Sequence, residues 1–362
     1  MSRSFFHNSL YHENKATGRY EFDMENVDLA IVNGIRRVIH AEIPTLGIQG
    51  EGNASVTIHK NSGPLHNEFM IHRIGLLPMH FTEEEVEGFV ENEYEFTCTV
   101  KNTEVALLNV TTNHMQGTKN EVPLTEKDLH RIFPVNSVTK QPVLITRLRQ
   151  GEELSFTAKV IKSIAKRHAS FSPVSLCAFY YKEDPSKTNG LTNLLEKERA
   201  YLKNTFGDPT DIHFMIESET GLSPKYLVVK ALEILGEKMS TIHRELDVLR
   251  SDKVSIVKND KMEDTFDLHI MEEDDTLGNL IQSILYNRYI REDAKVLDNK
   301  YKMSYIGYYA PHPLEYKIVV RMTLKNDTLT PDEKEFVMVM KDCCRQVERE
   351  IREVLDAWIR FE

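Results

Sequence analysis

The 362-residue chain carries 45 Lys and Arg against 56 Asp and Glu, a net charge of −11, with 41% hydrophobic and 28% charged residues. This is the composition of a globular chain long enough for two or three domains with separate cores. The acidic balance argues against a main task of gripping nucleic acid, which needs clustered Lys and Arg. No apolar run approaches the roughly 20 residues of a membrane span. The N-terminal "MSRSFFHNSLYHENK" lacks the apolar stretch of a signal peptide, so secretion is not expected. The four cysteines (Cys98, Cys177, Cys343 and Cys344) form no C-x-x-C pair, and the adjacent two project about 100° apart on a helix. They read as buried or free thiols of an intracellular protein without a metal site or cofactor.

Taken in chain order, "VDLAIVNGIRRVIHAEIPT" (27–45) places Val27, Ala30, Ile31, Gly34, Ile35, Val38 and Ile39 on one helical face. Asp23 or Asn26 is the expected cap, and Pro44 forbids continuation. Asn33, Arg36, Arg37 and His40 are left outside that core, with solvent as their plain reading. Residues 45–172 are mainly strand-like, with "ENEYEFTCTVKN" and "EELSFTAKVIK" typical. Two extended segments follow, "SPVSLCAFYY" and "DIHFMIES", separated by a charged excursion at 193–208. Ser223 and Pro224 then open a long helix whose stripe is Val228, Leu232, Leu235, Met239, Ile242, Leu246 and Leu249.

After a connection around 251–260, "DDTLGNLIQSILYNRY" repeats the first helix, with Leu277, Leu280, Ile281, Ile284 and Leu285 as its stripe. Asp275 or Thr276 is its expected cap. "MSYIGYYAPHPLEYKIVVRMTL" reads as two strands around a rigid turn. Thr330 and Glu333 predict a capping box around Pro331, opening a last helix with Val337, Met340, Cys344, Val347, Ile351, Val354, Trp358 and Phe361 in line. So narrow a seam packs against another helix, and two in one chain are expected to pack on each other. The chain thus holds two related α+β modules, the first interrupted by an insert.

No motif carries catalysis on its own. His66, Glu68 and His72 of "HNEFMIHR" lack the H-E-x-x-H spacing and read as a structural helix. The acidic "EEDD" (272–275) precedes a helix, where carboxylates favour the positive dipole end. "AKRH" (165–168) is a short basic patch, and His312 sits in the turn "PHPLEYK". No phosphate-binding glycine loop or nucleophile elbow is present.

"NGIRRVIHAEIPTLGI", "NSGPLHNEFMIHRIGLLPM", "LRQGEELSFTAKVIKSIAKRHASFSPVSLCAFYY" and "FMIESETGLSPKYLVVKALEILGEKM" together resemble the alpha-like subunit of multisubunit RNA polymerases. That family includes the third-largest subunit of eukaryotic RNA polymerase II and its archaeal counterpart. "DDTLGNLIQSIL" and "IGYYAPHPLEYKIVVRM", ending in a long helix, resemble its smaller partner, the eleventh subunit of the eukaryotic enzyme and the archaeal equivalent. A fusion of the two resembles those of asfarvirus-like and related large DNA viruses, which implies viral transcription in a virion and cytoplasmic factory, or in the nucleus.

The resemblance implies an α+β fold of two pseudo-symmetric dimerisation modules: 1–44 with 173–250, and 266–362. The insert would be 45–172 and the connection 251–265. It implies a non-catalytic assembly platform that docks the two large catalytic subunits and small zinc-binding subunits. DNA and RNA would be met only through the complex, with no membrane and no homo-oligomer. Asn33, Arg36, Arg37, Glu68, His72, Arg73, Lys166, Arg167, His168 and His312 become interface candidates. Val228, Leu232, Leu235, Met239, Leu277, Leu280, Ile281, Ile284, Val347, Ile351, Val354 and Trp358 would pair the modules internally. Several family members hold zinc or a cluster through cysteines in the insert; here Cys98 stands alone, so the insert must be held by its own core. The rival readings are a scaffold protein dimerised by its heptad helices, and a metal-dependent hydrolase built on "HNEF…HR".

Overall fold

The computed structural model describes residues 5–6, 12–14, 19–50, 55–136, 139–248, 251–291, 302–325 and 332–361. Strands β1 (His12–Asn14) and β2 (Arg19–Glu25) lead into helix α1 (Leu29–Ala41). An insert containing helix α2 (Asn67–Gly75) follows, and the chain returns through β3 (Val174–Tyr181), β4 (Asp211–Ser218) and the long α3 (Pro224–Val248). The second module runs β5 (Val254–Lys258), β6 (Thr265–Met271), α4 (Asp275–Leu285), β7 (Lys302–Tyr309), β8 (Lys317–Lys325) and α5 (Glu333–Arg360). The sheet orders are β1-β2-β4-β3 and β5-β6-β8-β7, antiparallel throughout. Strand for strand and helix for helix, the two modules share one topology, and the fold is α+β.

Alternation builds each sheet with one face inward: Ile212, Phe214 and Ile216 of β4 are buried while His213 and Met215 between them are not. Helix α1 packs against α3 and α4, and α4 against α5. The long helices run antiparallel: the Trp358 Nε1–H near the end of α5 donates to the Lys225 carbonyl at the start of α3 (3.2 Å), and Lys341 pairs with Asp247 at the opposite ends. Val228, Leu232, Leu235, Met239, Leu277, Leu280, Ile281, Ile284, Val347, Ile351, Val354 and Trp358 are all buried. Trp358 rests on first-module rings, 4.6 Å from Phe22 and 5.1 Å from Phe6. The buried face of α5 is wider than a two-residue seam, because Phe336, Val339 and Cys343 are also enclosed and Phe336 lies 5.3 Å from Phe266 of its own sheet.

The insert has a five-stranded sheet in the order Val56–Asn61, Glu153–Lys159, Tyr94–Lys101, Gln116–Lys119, Val122–Pro123. Phe96, Cys98, Leu154, Phe156 and Ala158 fill its core, and burial pushes the Cys98 thiol up to about 12, an inert state. The pairing of Thr45–Gly47 with Ile161–Ser163 closes its neck, so the chain leaves and re-enters at one place. No helix among the described residues is long and apolar enough to cross a membrane.

Several helix starts differ from expectation. Asp28 caps α1, because Asp23 is held in β2 opposite His213 and Asn26 turns at φ 56°. Asp274, one residue earlier than expected, caps α4. Asp332 and Glu335 form the capping box of α5, while Thr330 and Pro331, like Leu249, lie outside the described residues. Ser223 does cap α3, its hydroxyl accepting from the Tyr226 N–H at 3.1 Å. The stretch expected as a bare connection contains β5, whose Val254 and Ile256 are buried as the edge of the second sheet.

Candidate docking surfaces and the seam between modules

Helices α1 and α4 cross antiparallel, so that a residue nine positions past each cap aspartate meets the other helix's cap. Arg37 reaches the α4 cap: its Nε–H donates to Thr276 Oγ1 at 2.8 Å and its Nη2 lies 3.9 Å from Asp274. Ser283 reaches the α1 cap, donating to Asp28 at 3.1 Å, and Asn287 adds a bond to Asp28 at 2.9 Å. Arg37 was expected to look outward. It spans the two modules instead, because its helix face is the one that meets α4.

The Arg37 end is an ionic cluster. Lys166 lies 2.9 Å from Asp274 and 3.7 Å from Glu42, with its ammonium 4.8 Å from the centre of the Tyr316 ring. Lys238 of α3 bridges Glu42 at 2.8 Å and Glu273 at 2.6 Å, all three largely buried. Burial works against the Asp274 carboxylate, but Thr276 and Lys166 outweigh it and hold the pKa at about 2. Burial also lowers Lys166, yet the Tyr316 and Asp274 contacts leave its ammonium above the usual lysine range. Glu273 is pushed up by burial against the pull of Lys238. Lys166 therefore ties the insert's return loop to the second module, rather than standing free as a basic patch.

The sequence reading placed Glu273 only in an acidic run at a helix start, and missed Glu42, Lys238 and the cap Asp28. The available signal was Lys238 itself, a charge directly beside the seam residue Met239, where flanking charges set helix pairing.

The remaining candidates divide by place. Asn33 accepts from Arg36 Nε at 3.0 Å on the half-exposed side of α1. Arg73 is exposed but donates to the Ile145 and Leu144 carbonyls at 2.9 and 3.0 Å, holding α2 to the insert. A Cβ on Gly75 would fall 2.6 Å from the Gly50 nitrogen, so only glycine allows the end of α2 to sit this close. Thus fixed, α2 presents Glu68, Phe69 and His72 to solvent, joined by Leu76 at its C-cap, with Phe69 63% and Leu76 53% exposed. Arg167 is exposed, and the His168 ring accepts from Ser170 N–H as the cap of a short turn. His312 lies in the exposed turn 311–316 and accepts from Leu314 N–H at 3.1 Å. His66 and His72 are both exposed, and among the described residues no cluster of three or more His, Cys, Asp or Glu could hold a metal.

Comparison with known families decides what this paired architecture is. The RNA polymerase Rpb3/Rpb11 dimerisation domain matches residues 21–239, and a second form of the same domain matches 265–357. The chain belongs to the Rpb3/Rpb11 dimerisation-domain family. It is 28% identical over 259 residues to DNA-directed RNA polymerase II subunit RPB3 of Schizosaccharomyces pombe, covering 63% of this chain and 83% of that protein. It is 29% identical over 237 residues to subunit 3 of RNA polymerases II, IV and V of Arabidopsis thaliana, covering 60% and 72%. Subunit RPAC1 of the human RNA polymerases I and III is 27% identical over 177 residues, 44% of this chain and half of that protein. The Rpb3/Rpb11 match thus takes in both modules, and the pseudo-twofold seam lies between the two matched domains.

Proposed function

We propose that this chain is a non-catalytic assembly subunit of a multisubunit DNA-directed RNA polymerase, docking the two large catalytic subunits and small zinc-binding subunits. DNA and RNA are met only through the complex, and the chain supplies no catalytic step of its own. The observation that carries the reading is the presence of two Rpb3/Rpb11 dimerisation domains in one chain, folded against each other through a shared helical core. Joining them covalently replaces a bimolecular pairing with an intramolecular one at high effective concentration.

The docking face we assign is α2, where Phe69 and Leu76 expose apolar surface beside Glu68 and His72 on a helix fixed from behind. Arg167, His312 and the half-exposed Asn33 and Arg36 are further candidates. An exposed aromatic on a rigid helix suits an interface anchor, whose loss costs about 2 kcal/mol or more. The test is recovery of the large subunits by tagged wild-type chain and by the Phe69→Asp/Leu76→Asp variant. The variant should recover at least roughly 30-fold less while melting at the wild-type temperature. Equal recovery would remove α2 from the interface, and failure of the wild type to recover any large subunit would refute the function.

A further inference from the structure

The two ends of the α1–α4 seam are related by the pseudo-twofold but differ in chemistry. At the α4 cap, the first module and insert supply the cations Arg37, Lys166 and Lys238 with the single carboxylate Glu42, and the second module supplies the carboxylates Glu273 and Asp274. At the α1 cap, the corresponding reach is made by the neutral Ser283 and Asn287, and the neighbouring Arg291 of the second module donates to Asn287 at 3.0 Å and pairs with Asp208 of the first module at 2.6 Å. There the long helix contributes Gln346, bonded at 2.7 Å to a half-buried Glu350 that lies near Asp28. The topology is shared, so shape alone lets each module pair with a copy of itself by the same rotation. Charge does not do so equally. Two second modules would bring Glu273 and Asp274 to both ends opposite Ser283 and Asn287, with neither Lys238 nor an insert to provide Lys166, and with Arg288 and Arg291 as the cations of that end. Glu273, largely buried, would lose the Lys238 ammonium that lies 2.6 Å away, and removing one partner of such a pair is costly.

We propose that charge sorted across this seam, Lys238 and Lys166 against Glu273 and Asp274, favours first-with-second pairing over pairing of the second module with itself. Pairing is thereby specified by an attractive contact in the right combination that is lost in the wrong one. The proposal concerns contacts inside the chain and stands or falls separately from docking to the large subunits.

Full-length chains test it by charge reversal. Lys238→Glu gathers like charges with Glu42, Glu273 and Asp274, and Glu273→Lys gathers them with Lys238, so each variant alone should melt several degrees low and run as a monomer. The double variant Lys238→Glu/Glu273→Lys should regain most of that loss. The two single variants, unfolded and refolded together, should move to dimer mass. In that dimer each chain's first module meets the other's second module, matching the reversed pair at one seam and the natural pair at the other. A double variant melting no higher than the poorer single would overturn the proposal. So would a co-refolded mixture that stays at monomer mass, or a single variant that dimerises alone.

Discussion

Replacing Trp358 is the sharpest probe of how the modules hold together. The indole belongs to the second module, is 1% exposed, and lies on Phe22 and Phe6 of the first. Its Nε1–H donates to the Lys225 carbonyl at 3.2 Å. Truncating a buried Trp to Ala costs about 3–5 kcal/mol through lost transfer energy and the cavity left behind. At roughly 2 °C per kcal/mol for a chain of this size, the melt should fall by about 6–10 °C. Trp358→Phe keeps a ring against Phe22 and Phe6 and loses mainly the hydrogen bond and part of the contact area, about 1–2 kcal/mol. Urea unfolding followed by far-ultraviolet circular dichroism measures both, since the chain has one tryptophan and the variants lose its fluorescence. A loss below about 1 kcal/mol for Trp358→Ala would mean that the end of α5 is not seated in the first module.

Arg37→Ala should cost about 1 kcal/mol in urea unfolding, its charged hydrogen bond being discounted for partial exposure, while Arg36→Ala stays within about 0.5 kcal/mol; equal costs would contradict the seam role of Arg37. The Asp274 and Glu85 carboxyls are both held at about 2, below ordinary values of 3.8 and 4.5, Glu85 by the Arg131 fork against the opposing effect of burial. With folded-state pKa values depressed, their stabilisation is complete above about pH 4.5 and is lost as pH falls towards 2. Melting temperature should therefore drop through that window, less steeply in Asp274→Asn, and an unchanged slope would count against the ionic cluster. Gly278→Ala would place a Cβ 2.4 Å from the Tyr308 ring, and the overpacking should cost about 1–3 kcal/mol by the same assay.

Much of the fold was legible in the sequence because it is written in periodicity. Among the described residues, the stripes on α1, α3, α4 and α5 are buried where the spacing put them, and the aromatic and β-branched segments are strands. Local chemistry was less readable. Each short helix is preceded by more than one good cap, and tertiary contacts chose between them: His213 claims Asp23, and Ser283 and Asn287 read Asp28 across the seam. The strand β5 was overlooked because its five residues beside polar neighbours resemble a linker until β6 pairs with them. Arg37 shows the larger limit. An arginine off the core face of its own helix meets the same composition rule whether it faces solvent or a second module, and only the placement of α4 tells these apart. For α2, the histidines drew attention, whereas the exposed Phe69 and Leu76 are visible as a surface only once Met70 and Ile74 are seen to be buried.

The aromatic contact that brings Phe6 to within 5.5 Å of the Phe361 ring has a consequence for the order of the modules. Phe6 and Phe361 meet at one spot, so the path between them is a near-closed loop that runs through first one module and then the other. Which module comes first along that path is then a matter of where the loop is opened. A permuted chain that joins Phe361 to Phe6 through a short tether and begins at the connection before β5 would present the smaller module first, with every seam contact retained. Module order and assembled shape are therefore separable in this tandem pair.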